Sequence, residues 1–120
     1  MILDEKESVA CMTTVTIQRT SNGMYKGVTT FGHAEYGRHG EDIVCASISI
    51  LLITTLNFIE EKLHIPVKQV SNDDTGFTDT VFLADLSTEG KAVMDSMIYG
   101  LQMIEQQYGK KYLALKFEEV

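Results

Sequence analysis

A chain of 120 residues, 44% of them hydrophobic, can bury one compact core without disulfide or metal staples. Its 17 acidic residues outnumber 10 basic ones for a net charge of −7, and the bases are scattered apart from Lys110-Lys111. Nucleic acid is therefore a poor direct partner, because phosphate contacts need clustered lysine and arginine. The acidic surface suits a basic partner, and it equally serves solubility alone.

The opening stretch Met1-Ile-Leu-Asp-Glu-Lys-Glu is acidic where a signal peptide is basic and then apolar, so a cytoplasmic location is expected. One domain spanning 1–120 is expected, with residues 1–11 as a flexible leader and Met12 as an alternative start. Val15 and Ile17 alternate with Thr14, Thr16 and Gln18, the period of a half-buried strand. Asn22-Gly23 marks a hairpin turn, and Tyr25 to His33 makes the return strand. Gly32, Gly37 and Gly40 then punctuate a polar segment that reads as a loop with freedom to move.

Asp42 is placed to cap a helix running from about Ile43 to Leu63, which Ile65-Pro66 stops. This helix opens with 17 uncharged residues, Ile43 to Ile59. Its length is at the lower limit for a membrane span, and Ser47, Ser49, Thr54, Thr55 and Asn57 favour a buried helix instead. Being apolar nearly all round, it calls for cover on two sides: a sheet on one and a second copy of the chain on the other. Val67–Val70 and Phe77–Leu86 read as a second strand pair across a polar turn. Val93, Met97, Leu101, Ile104 and Tyr108 recur at helical spacing up to Gly109, and Tyr112 to Phe117 forms a last strand. The order ββαββαβ predicts an α+β fold, a two-layer α/β sandwich with a mostly antiparallel sheet and two helices.

With Asp42 as cap, Cys45 would stand in the first turn, where free N–H groups and the helix dipole favour the nucleophilic thiolate. On position alone a small buried hydrophobe is the commoner fate of such a cysteine, and it is the loop before it that favours chemistry. His33 flanks the other end of the same glycine-containing segment, twelve residues earlier. A strand end and a helix start joined by a loop can lie side by side, which a Cys–His nucleophile requires. Asp42 can orient His33 or cap the helix. Ser49, one turn beyond Cys45, can hydrogen-bond near the site or pack as a helix hydroxyl. Backbone N–H groups at the helix start are candidate oxyanion donors. His39 and His64 match no metal-site spacing with His33 and Cys45, so no metal or other cofactor is expected. Cys11 reads as incidental. Two cysteines without a C-x-x-C pair are expected as free thiols in a reducing compartment.

The stretch Gly32 to Ser49, GHAEYGRHGEDIVCASIS, resembles the signature of the Prp family of ribosomal-processing cysteine proteases. Gly-His-Ala, a short loop with glycines, Asp-Ile-Val-Cys-Ala and a serine-rich helix start are all there, and the similarity extends from about Thr13 to the C-terminus. The resemblance implies that His33 and Cys45 hold the catalytic positions, with Asp42 and Ser49 as supporting motif residues and Gly37 and Gly40 in a flexible loop. It also implies a small homodimeric α/β sandwich. The expected substrate is the precursor of large-ribosomal-subunit protein 27, whose N-terminal extension the family removes ahead of a basic arm. The alternative is a non-catalytic ribosome-assembly module that binds the same protein; a thiol redox sensor is a weaker rival, for want of a resolving cysteine close to Cys45.

Overall fold

In a computed structural model of the chain, residues 13–32, 39–72 and 76–120 are described, with 39–42 described by their backbone. The elements run β1 (Thr13–Arg19), β2 (Tyr25–Phe31), α1 (His39–Glu61), β3 (Val67–Asn72), β4 (Phe77–Phe82), α2 (Thr88–Tyr108) and β5 (Leu113–Glu119). The strands form one sheet in the order β3-β4-β2-β1-β5. β5 is parallel to β1 and every other pairing is antiparallel. This is the predicted α+β sandwich, with the ββαββαβ order and two helices.

Local chemistry explains where the elements turn. Gly23 takes φ 89°, and its N–H donates to the Thr20 carbonyl, as a tight hairpin turn needs. α2 begins at Ser87, whose hydroxyl accepts from the Gly90 N–H at 3.1 Å, and ends at Gly109 with φ 104°. Both are the expected cap residues.

The core lies between the sheet and the helices. Val15 and Ile17 of β1, Val28 of β2 and Leu113 of β5 meet Ile48 and Ile59 of α1 and Met94, Met97 and Leu101 of α2. The 19-residue part of α1 from Ile43 to Glu61 has the length and composition of a membrane span. Its inner face nevertheless supplies Val44, Cys45, Ile48, Leu52 and Ile59 to the core, as a sandwich helix should.

Several boundaries differ from expectation. α1 starts at His39, not Ile43, so Gly40 lies in its first turn and Asp42 is its fourth residue, not its cap. A single glycine costs a helix only about 1 kcal/mol, which tertiary packing can override. β4 stops at Phe82, short of the expected Leu86, and β2 stops at Phe31.

Candidate active site

Cys45 is the seventh residue of α1, hence in the second turn. Its N–H is satisfied within the helix, and the unpaired N–H groups belong to residues 39 to 42 by helix geometry. The expected help from the helix end is correspondingly weaker, because the dipole effect fades beyond the first turn.

The sulfur-bearing residue is 2% exposed, yet it lines a cavity of about 230 Å³. Ile48, Ser49 and Leu52 extend the helix wall of that cavity, and Thr13, Thr30, Gly32 and Thr78 supply the sheet side. The register explains this floor. Val15 pairs with Thr30, and Thr30 pairs with Thr78, so both threonines share the helix-facing side with core residue Val15. Asn72 and Phe77, at the facing ends of β3 and β4, complete the rim.

The predicted site residues are placed unequally. Cys45 and Ser49 share the cavity wall one helical turn apart. His33 and Gly37 lie outside the described residues. Gly32, directly before His33 in sequence, lines the same cavity as Cys45 with φ 88°, a backbone conformation suited to glycine. Asp42 and Gly40 sit in the first turn of α1 by backbone. Among the described residues no cluster of three metal-ligating side chains occurs, and His64 takes φ 59° in the turn after α1.

The expectation of a free thiol at Cys45 is not met, since Cys45 is disulfide-bonded. The chain has one other cysteine, Cys11, outside the described residues. A cysteine in a disulfide is not a nucleophile, so chemistry at Cys45 begins with reduction.

Thr30, Asn72 and Thr78 line the site without a motif in the sequence to announce them. A signal for Thr30 exists, since it stands two residues from Val28 and so on the same face of the strand. Threonine suits either face of a sheet, however, and composition does not distinguish a cavity floor from a solvated one.

The family model for the cysteine protease Prp matches residues 12–113. The ribosomal processing cysteine protease Prp of Staphylococcus aureus is 32% identical over 100 residues, covering 82% of this chain and 93% of that protein. The crystal structure of the essential ribosomal processing protease Prp from S. aureus in complex with a substrate peptide superposes with a TM-score of 0.78 at 27% identity, over 89% of this chain and 100% of that one. Its counterpart with a covalently linked product peptide gives a TM-score of 0.77 at 28% identity, over 89% and 100% of the two chains.

Proposed function

The chain belongs to the Prp family of cysteine proteases, and from that premise we propose that it removes the N-terminal extension of the precursor of large-ribosomal-subunit protein 27. Cys45 is the nucleophile and His33 its base. The observation that carries this reading is the position of Cys45 in the wall of an open cavity, opposite Gly32, the residue that leads into His33.

The reaction is acyl transfer. His33 takes the proton of Cys45, and the thiolate attacks the scissile carbonyl carbon. The C–N bond breaks as His33 returns the proton to the leaving amine. Water, deprotonated by His33, then adds to the thioester, and the carboxylate product leaves with Cys45 restored. No cofactor enters these steps. With Cys45 in the second helical turn, thiolate formation depends chiefly on His33 rather than on the helix end. Asp42 orients His33, and Ser49 shapes the cavity wall one helical turn from Cys45.

The net charge of −7 favours encounter with a basic ribosomal-protein arm, and the processing takes place in the cytoplasm. Neither nucleic acid nor membrane is needed as a partner. A second copy of the chain covers the outer face of α1, where Ile43 (63% exposed) and Ile50 (62%) form an apolar stripe of the kind that marks an interface.

The test is mass spectrometry of a synthetic peptide spanning the extension and the basic arm, incubated with reduced protein. Cleavage at one bond, absent with Cys45→Ser and with His33→Ala, is the expected result. No cleavage by folded, reduced protein would remove this substrate assignment.

A further inference from the structure

The half of the sheet beneath α1 is built differently from the rest. On β1 and β5 the helix-facing residues Val15, Ile17 and Leu113 are fully buried. On β2, β4 and β3 the same face interleaves Thr30, Thr78, Thr80 and Gln69 with the apolar Val28, Phe82 and Val67, as the pairings Thr30–Thr78, Val28–Thr80, Gln69–Thr80 and Val67–Phe82 require. Hydroxyls and an amide under a helix are uncommon in a packed layer, which apolar side chains ordinarily fill.

Here the layer is not filled. The cavity at Cys45 shares Thr30, Ser49, Leu52 and Thr78 with a second cavity of about 390 Å³. That one shares Leu56, Asn57, Gln69 and Thr80 with a third of about 50 Å³, which reaches Glu60. The three make one groove between α1 and the sheet, and it runs toward β3, an edge strand. Along α1 from Cys45 to Glu60 the rise is about 22 Å at ~1.5 Å per residue, the span of roughly seven residues of extended chain.

We propose that this groove is an extended-peptide subsite, holding substrate residues on one side of the scissile bond out to about the seventh. The inference rests on the proteolytic reading of Cys45, since the groove begins at that residue. Its two walls divide the work of recognition. Leu52 and Leu56 on α1 receive an apolar side chain, while the threonine hydroxyls and the Gln69 amide offer donors and acceptors to a peptide backbone. Gln69 already donates to the Thr80 hydroxyl at 3.1 Å, which sets its amide along the groove floor. Glu60 at the far end favours a basic residue there.

Asn57 and Gln69 are exposed on opposite lips of the groove, so tryptophan at either blocks it. Gln69→Trp also removes the partner of the buried Thr80 hydroxyl, and circular dichroism confirms that each variant is folded before retention is read. The experiment retains random-sequence decapeptides and tetrapeptides on immobilised Cys45→Ser protein and identifies them by mass spectrometry. Decapeptides enriched in apolar and basic residues should be retained over tetrapeptides. Asn57→Trp and Gln69→Trp should each cut retention at least tenfold. Gln106→Trp, of equal bulk at an exposed position on α2, should not. Equal retention of both lengths, retention unchanged by the lip variants, or no retention at all would overturn the groove. Cleavage of the ribosomal precursor peptide by reduced wild-type protein is read in parallel. Cleavage without groove-dependent retention discards the groove alone. Groove-dependent retention without cleavage discards the assigned substrate and leaves the groove standing.

Discussion

At the scale of single residues, the pair Tyr25–Asp95 ties the sheet to α2. The buried Tyr25 hydroxyl donates to Asp95 at 2.5 Å, and Lys91 bonds the other carboxylate oxygen at 3.2 Å. Burial, and then the Asp95 carboxylate, pushes the Tyr25 pKa up to about 12, while the Tyr25 hydroxyl holds Asp95 below its ordinary value. The signs give two windows. Tyr25 is favoured protonated in the fold, so its contribution is complete below its unfolded pKa near ~10 and is lost as pH rises from there toward about 12. Asp95 is favoured ionised, so its contribution is complete above ~4 and is lost as pH falls through its lowered folded value. Tyr25→Phe should cost about 1–2 kcal/mol in urea unfolding at pH 7 and should flatten the loss of stability between pH 10 and 12. An unchanged alkaline limb would show that the pair contributes nothing.

Cys45 yields a second prediction at this scale. Because it is disulfide-bonded in the structure, peptide cleavage should be absent in oxidised protein and appear on adding dithiothreitol, with thiol titration rising in step. Full activity in protein with no titratable thiol would exclude Cys45 as nucleophile.

At the scale of elements, Gly27 of β2 lies against β4 with no room for a side chain. A Cβ there would stand 2.4 Å from the Thr80 carbonyl oxygen, a backbone atom that cannot turn aside. Gly27→Ala should therefore destabilise by at least ~2 kcal/mol, seen as a lower denaturant midpoint, and should loosen the sheet that floors the groove. A midpoint equal to wild type would mean the two strands separate easily.

Elements were legible in the sequence wherever one residue type had one structural use. Asn22-Gly23 marked its hairpin, and Gly109 marked the end of α2. The start of α1 was misread because glycines at 37 and 40 look like a loop, whereas Gly40 is carried within the helix. That one shift moved Cys45 from the first turn to the second. Sheet order could not be read, since antiparallel pairs alternating with helices admit several arrangements. The threonines beneath Cys45 also stayed hidden, because their meaning depends on which strands become neighbours.

At the scale of the whole molecule, two faces of α1 have separate roles. The inner face builds the core and one wall of the groove. The outer stripe of Ile43 and Ile50 meets no cover within the described residues, which fits a homodimer. Ile50→Asp should convert a dimer to a monomer in light scattering while leaving the circular dichroism spectrum intact. A wild-type monomer, or a variant dimer of undiminished stability, would place the interface elsewhere.

On the proposed mechanism Cys45, activated by His33, forms a covalent bond with the peptide it cuts. The most direct measurement labels reduced protein with a chloromethyl ketone built on the residues preceding the cleavage site, followed by peptide mapping. One label per chain on Cys45, formed much more slowly in His33→Ala and not at all in Cys45→Ser, is the predicted result. Labelling elsewhere, or at an equal rate without His33, would contradict the account.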